Sequence, residues 1–535
     1  MSPQWIIAPI VLPLIVAALQ LLVGERRRGV VVALSLASCT ALLVIATMLM
    51  LAAAQQGADG AMTAVYRLGD WPARFSIVLV LDRLSALMVL LTAAVALATL
   101  PAALSHWQHR GNYFQPLFQF LLMGLNGAFL TGDLFNLFVF FEVLLAASYG
   151  LALHGSGARR VSAGLHYITV NLTASMLFLI GVSLIFGVTG TLNMAALAQV
   201  IPTLSGRTSA LLHAGAAVLG VALLIKTAMW PLGFWLPRTY SAAAPAVAAM
   251  FALMTKVGVY VLLRLSLLLF GAEAGASSSH FGSQWLLWGG VVTVVAGTVG
   301  MLGVRDLGKL AGYSVVISSG TLLGAIGLQQ PAVTAGALAY LVISTLGIAA
   351  FFLIVGMLVP GGADDAEDAP PLEPYEVNAG EFRGDDLFAA EDESRVVITA
   401  PIATLSIGFL ACALVLAGLP PLAGFLAKFA LLAPMLEGAP QSATWVLFAV
   451  VIGASLCTLI AMVRAGIRIF WTDPERRFPQ VGVSEISAAA VLLGLCLLAS
   501  VLARAPLDYL AAAAQQLHAP ANYVNEVLPS SQAEP

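Results

Sequence analysis

Thr131-Gly-Asp133-Leu-Phe-Asn136-Leu-Phe-Val-Phe-Phe-Glu142-Val-Leu-Leu-Ala-Ala-Ser148-Tyr149-Gly150 is the stretch that decides the fold class. From Leu134 onward it is an apolar run long enough to cross a ~30 Å hydrocarbon core as a helix. A single carboxylate stands midway along it. Outward in both directions the pattern repeats, and apolar runs of span length recur from end to end. Of the 535 residues, 60% are hydrophobic and 10% charged; soluble chains carry about 25% charged residues. A water-soluble enzyme, a disordered chain and a secreted disulfide scaffold are all excluded. Cys39, Cys412, Cys457 and Cys496 lie scattered in apolar runs without ligand spacing, and read as small core hydrophobes.

Hydropathy predicts an all-α polytopic membrane protein of about fourteen spans. They fall at 5–23, 30–53, 82–104, 114–131, 134–153, 164–187, 209–229, 243–270, 285–303, 309–327, 333–358, 398–418 running on to 436, 444–470 and 485–503. The first has no basic segment ahead of it and does not read as a cleavable signal. Arg26-Arg27-Arg28, Arg110, Arg159-Arg160, Arg238, Arg305/Lys309 and Arg468/Arg476/Arg477 fall on alternate connections. The positive-inside rule makes that side cytoplasmic and puts both termini outside a cell membrane. Residues 361–395, with twelve acids against two arginines, then form an inside loop, and the rest of the chain carries 22 basic and 15 acidic residues. Such a loop reads as solvated, or as a cation-collecting or docking segment.

One internal match stands out. Pro231-Leu-Gly-Phe-Trp235-Leu-Pro-Arg238 parallels Pro421-Leu-Ala-Gly-Phe425-Leu-Ala-Lys428, 190 residues later. Paired Gly/Pro-interrupted spans in two halves of a membrane protein point to a transport site. Pro231, Pro420 and Pro421 supply the interruptions.

Four charges lie well inside spans: Glu142, Lys226, Lys256 and Lys428. Each costs roughly 2.5–3.5 kcal/mol near the bilayer centre on insertion scales. Helix-packing glue or snorkelling would be the structural explanation. Snorkelling suits Arg264 and Lys309 near span ends, but a glutamate cannot snorkel ten residues. The functional explanation is a proton relay, in which an ion pair between Glu142 and Lys226 rearranges as protons move. Asp133 and Asn136, about two turns before Glu142, read either as a path for cations or as a helix cap. No P-loop, dinucleotide fingerprint, catalytic triad or metal-ligand set is legible, so no cofactor or metal is expected.

At these residues the chain resembles the antiporter-like subunits shared by Mrp cation/proton antiporters and respiratory complex I. The Glu142 stretch is similar to their fifth helix, Lys226-Thr-Ala-Met-Trp-Pro231 to the broken seventh, Thr-Lys256-Val-Gly-Val-Tyr260 to the eighth, and Gly418-Leu-Pro420-Pro421-Leu-Ala-Gly424-Phe425-Leu-Ala-Lys428 to the broken twelfth. The wording around Glu142 is most like the D-type subunits of Mrp antiporters. The resemblance implies two inverted five-helix repeats, spans 4–8 and 9–13, and a relay in the order Glu142, Lys226, Lys256, Lys428. The domains are then an N-terminal three-helix segment 1–104, halves at 114–270 and 285–470, and a C-terminal helix and tail 471–535. Many relatives carry histidines in spans ten and eleven. This chain has Ile317-Ser318-Ser319-Gly320 and Ile343-Ser344-Thr345-Leu346 instead, so hydroxyls and water must bridge Lys256 to Lys428.

Three functions are consistent with this reading. The first is a proton-moving subunit of a multisubunit Na⁺/H⁺ antiporter. The second is a proton-pumping membrane-arm subunit of complex I or a membrane-bound hydrogenase. The third is a non-transporting scaffold, which the four buried charges disfavour. In each, other subunits of one membrane complex and the lipid bilayer are the partners, with no nucleic acid. Na⁺ and H⁺ are the substrates of the first.

Overall fold

A computed structural model describes residues 3–55, 64–70, 77–105, 110–358, 400–437, 442–470 and 481–528. The acidic loop 361–395 lies outside the described residues, as do His106 and His109. The chain opens with α1 (Ala8–Val23) and α2 (Arg28–Ala54), then an antiparallel hairpin of β1 (Ala64–Arg67) and β2 (Val78–Leu81). Next come α3 (Arg83–Ser105), α4 (Phe114–Leu130), α5 (Leu134–Ala152), α6 (Ala158–Thr189), the short α7 (Met194–Val200), α8 (Gly206–Lys226) and α9 (Leu236–Ala242). They are followed by α10 (Pro245–Leu268), α11 (Ser283–Gly303), α12 (Leu307–Leu328) and α13 (Pro331–Leu358). The chain ends with α14 (Ala400–Ala417), α15 (Ala423–Leu432), α16 (Ser442–Phe470), α17 (Val483–Val501), α18 (Arg504–Leu517) and α19 (Pro520–Val527).

Twelve of these helices are long and apolar enough to cross a membrane. The other two expected spans form as the shorter apolar helices Phe114–Leu130 and Pro401–Ala417, near the ~17-residue lower limit for spanning. The seventh and twelfth spans are interrupted, as expected. α8 stops at Lys226 and the chain resumes as α9; α14 stops at Ala417 and resumes as α15.

Burial sorts the helices into an inner and an outer set. α10 is buried over its whole best apolar window, and α12 and α13 over 89% of theirs, whereas α6 and α16 are buried over only 33%. A helix apolar all round has no solvent face to present and becomes the centre of a bundle. α11 lies against α12 through small residues: a Cβ on Gly320 would come within 2.8 Å of the Val294 backbone nitrogen. Such close backbone approach is the usual way helices associate where lipid offers no hydrophobic drive.

Two features depart from the sequence reading. Arg264 does not snorkel. It is buried at 4% exposure and pairs with Asp82 (Nη2–Oδ2 2.8 Å), while its Nε donates to Tyr260 Oη at 3.0 Å. Asp82 comes from just ahead of α3, so a tertiary pairing replaces the interface as the solution for this charge. The second departure is at the C-terminus, where α18 and α19 fold back onto the body. Tyr509 Oη donates to the Arg83 carbonyl (2.9 Å), and Arg67 Nη2 donates to the Val527 carbonyl (3.0 Å).

Candidate functional site

α5 begins where Asp133 caps it. Asp133 Oδ1 accepts from the Phe135 and Asn136 backbone nitrogens at 2.8 and 2.9 Å, and Asn136 Nδ2 donates to Thr131 Oγ1 at 3.0 Å. Of the two expectations for this pair, the cap is the one whose hydrogen bonds the structure contains. Two turns further on, Glu142 is half-buried, and its Oε1 is buried with no hydrogen-bond partner. Lys226, the last residue of α8, is 7% exposed, and its Nζ also has no hydrogen-bond partner. The ammonium stands 4.8 Å over the ring centroid of Phe141, beside Glu142 in sequence, a cation–π placement. Glu142 acts on it electrostatically, but among the described residues no hydrogen bond joins the two. Beyond Lys226 the chain turns sharply: Ala228 takes a positive φ of 57°, and the Trp230 amide donates to Thr293 Oγ1 at 3.0 Å. Pro231 sits in this turn.

Lys256 occupies the centre of α10 and is fully buried. Its Nζ donates to Ser318 Oγ at 2.7 Å, and Ser318 Oγ donates to Ser344 Oγ at 2.9 Å. Three inner helices, α10, α12 and α13, therefore meet through one polar chain. Ser319 and Thr345 do not join it. Ser319 Oγ is buried without a hydrogen-bond partner, and Thr345 Oγ1 donates back to the Leu341 carbonyl of its own helix at 2.6 Å. Beyond Ser344 lies a cavity of about 20 Å³ lined by Ser318, Ser344, Tyr340, Leu416, Gly424 and Thr458, among others. That is room for about one water, with the polar partners a water needs.

Leu416, one of the residues lining this cavity, is also a partner of Lys428. A helix end leaves its last carbonyls without intrahelical donors, and α14 ends at Ala417 because Gly418 turns to φ 77°. Lys428 Nζ fills the vacancy. It donates to the Leu416 and Ala417 carbonyls at 2.9 and 3.0 Å, and to Ser455 Oγ at 2.7 Å. A Cβ on Gly418 would lie 2.5 Å from Lys428 Cδ, so glycine is required both for the turn and for the lysine's approach. Pro420 and Pro421 follow at once. Leu416 thus faces the cavity and also holds Lys428. Ser455, Tyr340 and the two carbonyls were missed by the sequence reading; Ser455 and Thr458, hydroxyls one turn apart in an apolar span, were the visible signal.

Hydrogen bonds thus join Lys256 to Ser318 and Ser344. A separate set joins Lys428 to Leu416, Ala417 and Ser455. Ser344 and Leu416 line one small cavity, and Glu142 and Lys226 form a third, incompletely bonded pair. Among the described residues no cluster of three or more His, Cys, Asp or Glu side chains could hold a metal.

The segment from Thr131 to Cys457, which contains all four charges, matches the model of the family described as "NADH:quinone oxidoreductase/Mrp antiporter, TM". The chain belongs to that family. It is a multi-pass membrane protein. Its relatives include the D subunit of a probable K⁺/H⁺ antiporter from Rhizobium meliloti, 50% identical over 99% of this chain and 98% of that one. The D subunit of the Na⁺/H⁺ antiporter from Alkalihalophilus pseudofirmus is 31% identical over 98% of this chain and 99% of its own. Among solved structures, a chain of the Mrp complex from Dietzia superposes with a TM-score of 0.81 at 27% identity, covering 99% of this chain and 100% of that one. A chain of respiratory complex I from Thermus thermophilus shares the fold at a TM-score of 0.74 and 21% identity, over 96% of this chain and 99% of that one.

Proposed function

We propose that this chain is the proton-translocating subunit of a multisubunit monovalent-cation/H⁺ antiporter in the cell membrane: a transporter subunit, not an enzyme. The observation that carries the reading is the buried hydrogen-bonded chain Lys256–Ser318–Ser344 and the small cavity it shares with Leu416, whose carbonyl accepts from Lys428. It supplies acid–base groups and hydroxyls across the inner helices of a largely apolar bundle. Hydroxyls both donate and accept, so a Ser–Ser–water chain passes a proton without a histidine. At the other end, a proton reaching Glu142 neutralises it and weakens its hold on Lys226, and the ammonium is then free to swing about the break after α8. That coupling is what exchange requires.

The proposed organisation keeps the halves 114–270 and 285–470, with 1–104 and 471–535 flanking them. The arginine-bearing connections and the acidic 361–395 loop face the cytoplasm, and both termini lie outside. Na⁺ is the cation expected from the sequence. Relatives named for K⁺ and for Na⁺ both align end to end, so the cation is read by experiment. The relatives named as subunits support further subunits as partners.

The test is relaxation of a pH gradient on adding Na⁺ or K⁺ to everted vesicles that hold the whole complex. Cation-dependent relaxation that disappears in Glu142→Gln, with the complex still assembled, is expected, because the amide keeps the shape but carries no proton. Wild-type exchange in that variant refutes the relay. No response to either cation, with proton uptake only when a redox donor is supplied, refutes antiport in favour of a redox-driven pump.

A further inference from the structure

α16 is an outer helix, and Ile452, Leu456, Ile460, Val463 and Ile467 form an exposed apolar stripe along it at helical spacing. α11 packs against α16 and carries a second exposed stripe, Val292, Val295 and Val299. In a bundle that spans a bilayer, exposed apolar stripes of this kind are suited to acyl chains. Where the two helices end on the same side, three arginines gather beside the apolar stripe. Arg305 follows α11, and Arg464 and Arg468 occupy the last two turns of α16.

These arginines line a cavity of about 330 Å³ whose other walls are Met301, Leu302, Ala461 and further apolar side chains. Among the described residues, none that lines it is acidic. The cavity mouth is braced from within, since Arg464 Nη1 donates to the Leu302 carbonyl at 3.4 Å and Arg468 Nη2 donates to the Arg305 carbonyl. A guanidinium carries five N–H donors in a planar fork, so each retains donors for a phosphate after that contact. Both arginines stand within one turn of the lipid-facing stripe.

We propose that this cavity binds the headgroup of an anionic phospholipid whose acyl chains lie along the furrow between α11 and α16. Charge selects the headgroup, because three cations with no lining acid suit a phosphodiester bearing net charge and give a zwitterion no advantage. The apolar stripe selects a lipid over a soluble anion or an acidic peptide segment, neither of which has anything to lay against Val463 and Ile467. The site bridges the last turn of α16 to the α11–α12 connection. A bound lipid therefore ties the helix that supplies Ser455 to the helix pair that supplies Ser318.

The experiment uses the whole complex in phosphatidylcholine nanodiscs doped with a photoactivatable phosphatidylglycerol, with labelled peptides read by mass spectrometry. Labelling is expected on the ends of α11 and α16, competed by unlabelled phosphatidylglycerol and not by phosphatidylcholine. In Arg464→Gln/Arg468→Gln it is expected to fall about tenfold. Arg464→Lys/Arg468→Lys, which keeps the charge, is expected to retain an intermediate level. Equal competition by phosphatidylcholine overturns the proposal without any variant. So does undiminished labelling in the double glutamine variant with the complex intact. Displacement by inorganic phosphate would overturn it by assigning the cavity to a free anion. A rise in labelling on neutralising the acids of 361–395 would overturn it by assigning the cavity to the chain's own acidic segment.

Discussion

The two broken spans use the same interruption in opposite ways. In both, a helix ends early, a proline follows, and a lysine lies close by. Lys226 is the last residue before its break, and its ammonium turns away from the freed backbone to stand over Phe141 near Glu142, with no hydrogen bond. Lys428 comes after its break and turns back onto it, taking the two carbonyls that α14 leaves open, and Ser455 besides. A helix C-terminus carries partial negative charge, so Lys428 has a fixed counter-charge made of backbone, whereas Lys226 depends on a carboxylate that can itself be neutralised. The first arrangement suits a charge that moves. The second suits a charge that stays in place.

The largest expected contrast is between the two lysine-to-methionine variants. Lys428→Met leaves two carbonyls and a hydroxyl in a buried site without their donor, at about 1–3 kcal/mol for each unsatisfied group. Lys226→Met removes a cation that makes no hydrogen bond, and its cost should stay within about 1 kcal/mol. Melting of the assembled complex in nanodiscs checks this: Lys428→Met should melt several degrees lower, Lys226→Met close to wild type, and both should lose exchange. Equal destabilisation would break the comparison, because Lys226 would then be held as firmly as Lys428.

A smaller effect separates hydroxyls that look alike in the sequence. Ser318→Ala interrupts the chain from Lys256 to Ser344 and should slow cation-driven proton flux about tenfold, the equivalent of ~1.4 kcal/mol on the barrier. Thr345→Val removes a hydroxyl that bonds only within its own helix, and flux should stay within about twofold of wild type. Initial rates of gradient relaxation across a range of cation concentrations distinguish them. A loss on Thr345→Val as large as on Ser318→Ala would mean the path runs along another face of α13.

Glu142, Lys226, Lys256 and Lys428 were legible in the sequence, because an ionisable group inside an apolar span is costly enough to stand out by position alone. The two interruptions were legible because Gly and Pro gather there, Pro231 with Gly233 and Gly418 with Pro420 and Pro421, whereas the lone Pro13 and Pro101 leave α1 and α3 continuous. What the sequence could not supply was partnership. Ser318, Ser319, Ser344 and Thr345 are equivalent in composition, and only the rotation of α12 and α13 about their axes decides that Ser318 and Ser344 meet. Arg264 was assigned to the interface because hydropathy carries no information about Asp82, 182 residues away. Backbone carbonyls as the acceptors of Lys428 have no residue type to betray them. The C-terminal helices α18 and α19 were folded into a tail because each is too polar to register as a span.

Asp133 provides the smallest effect and the sharpest limit on the first half of the comparison. If only Glu142 and Lys226 carry the moving charge there, the carboxylate of Asp133 is needed for shape and not for charge. Asp133→Asn keeps an acceptor for the Phe135 and Asn136 amides and should leave both melting and exchange unchanged. Asp133→Ala loses the cap and should cost about 1 kcal/mol of stability, with little change in exchange by the protein that remains folded. Loss of exchange in Asp133→Asn, at unchanged melting, would extend the path from Glu142 to the start of α5. The first half would then hold two titrating carboxylates against one lysine, and the freedom of Lys226 would come from a choice between partners and not from the lack of one.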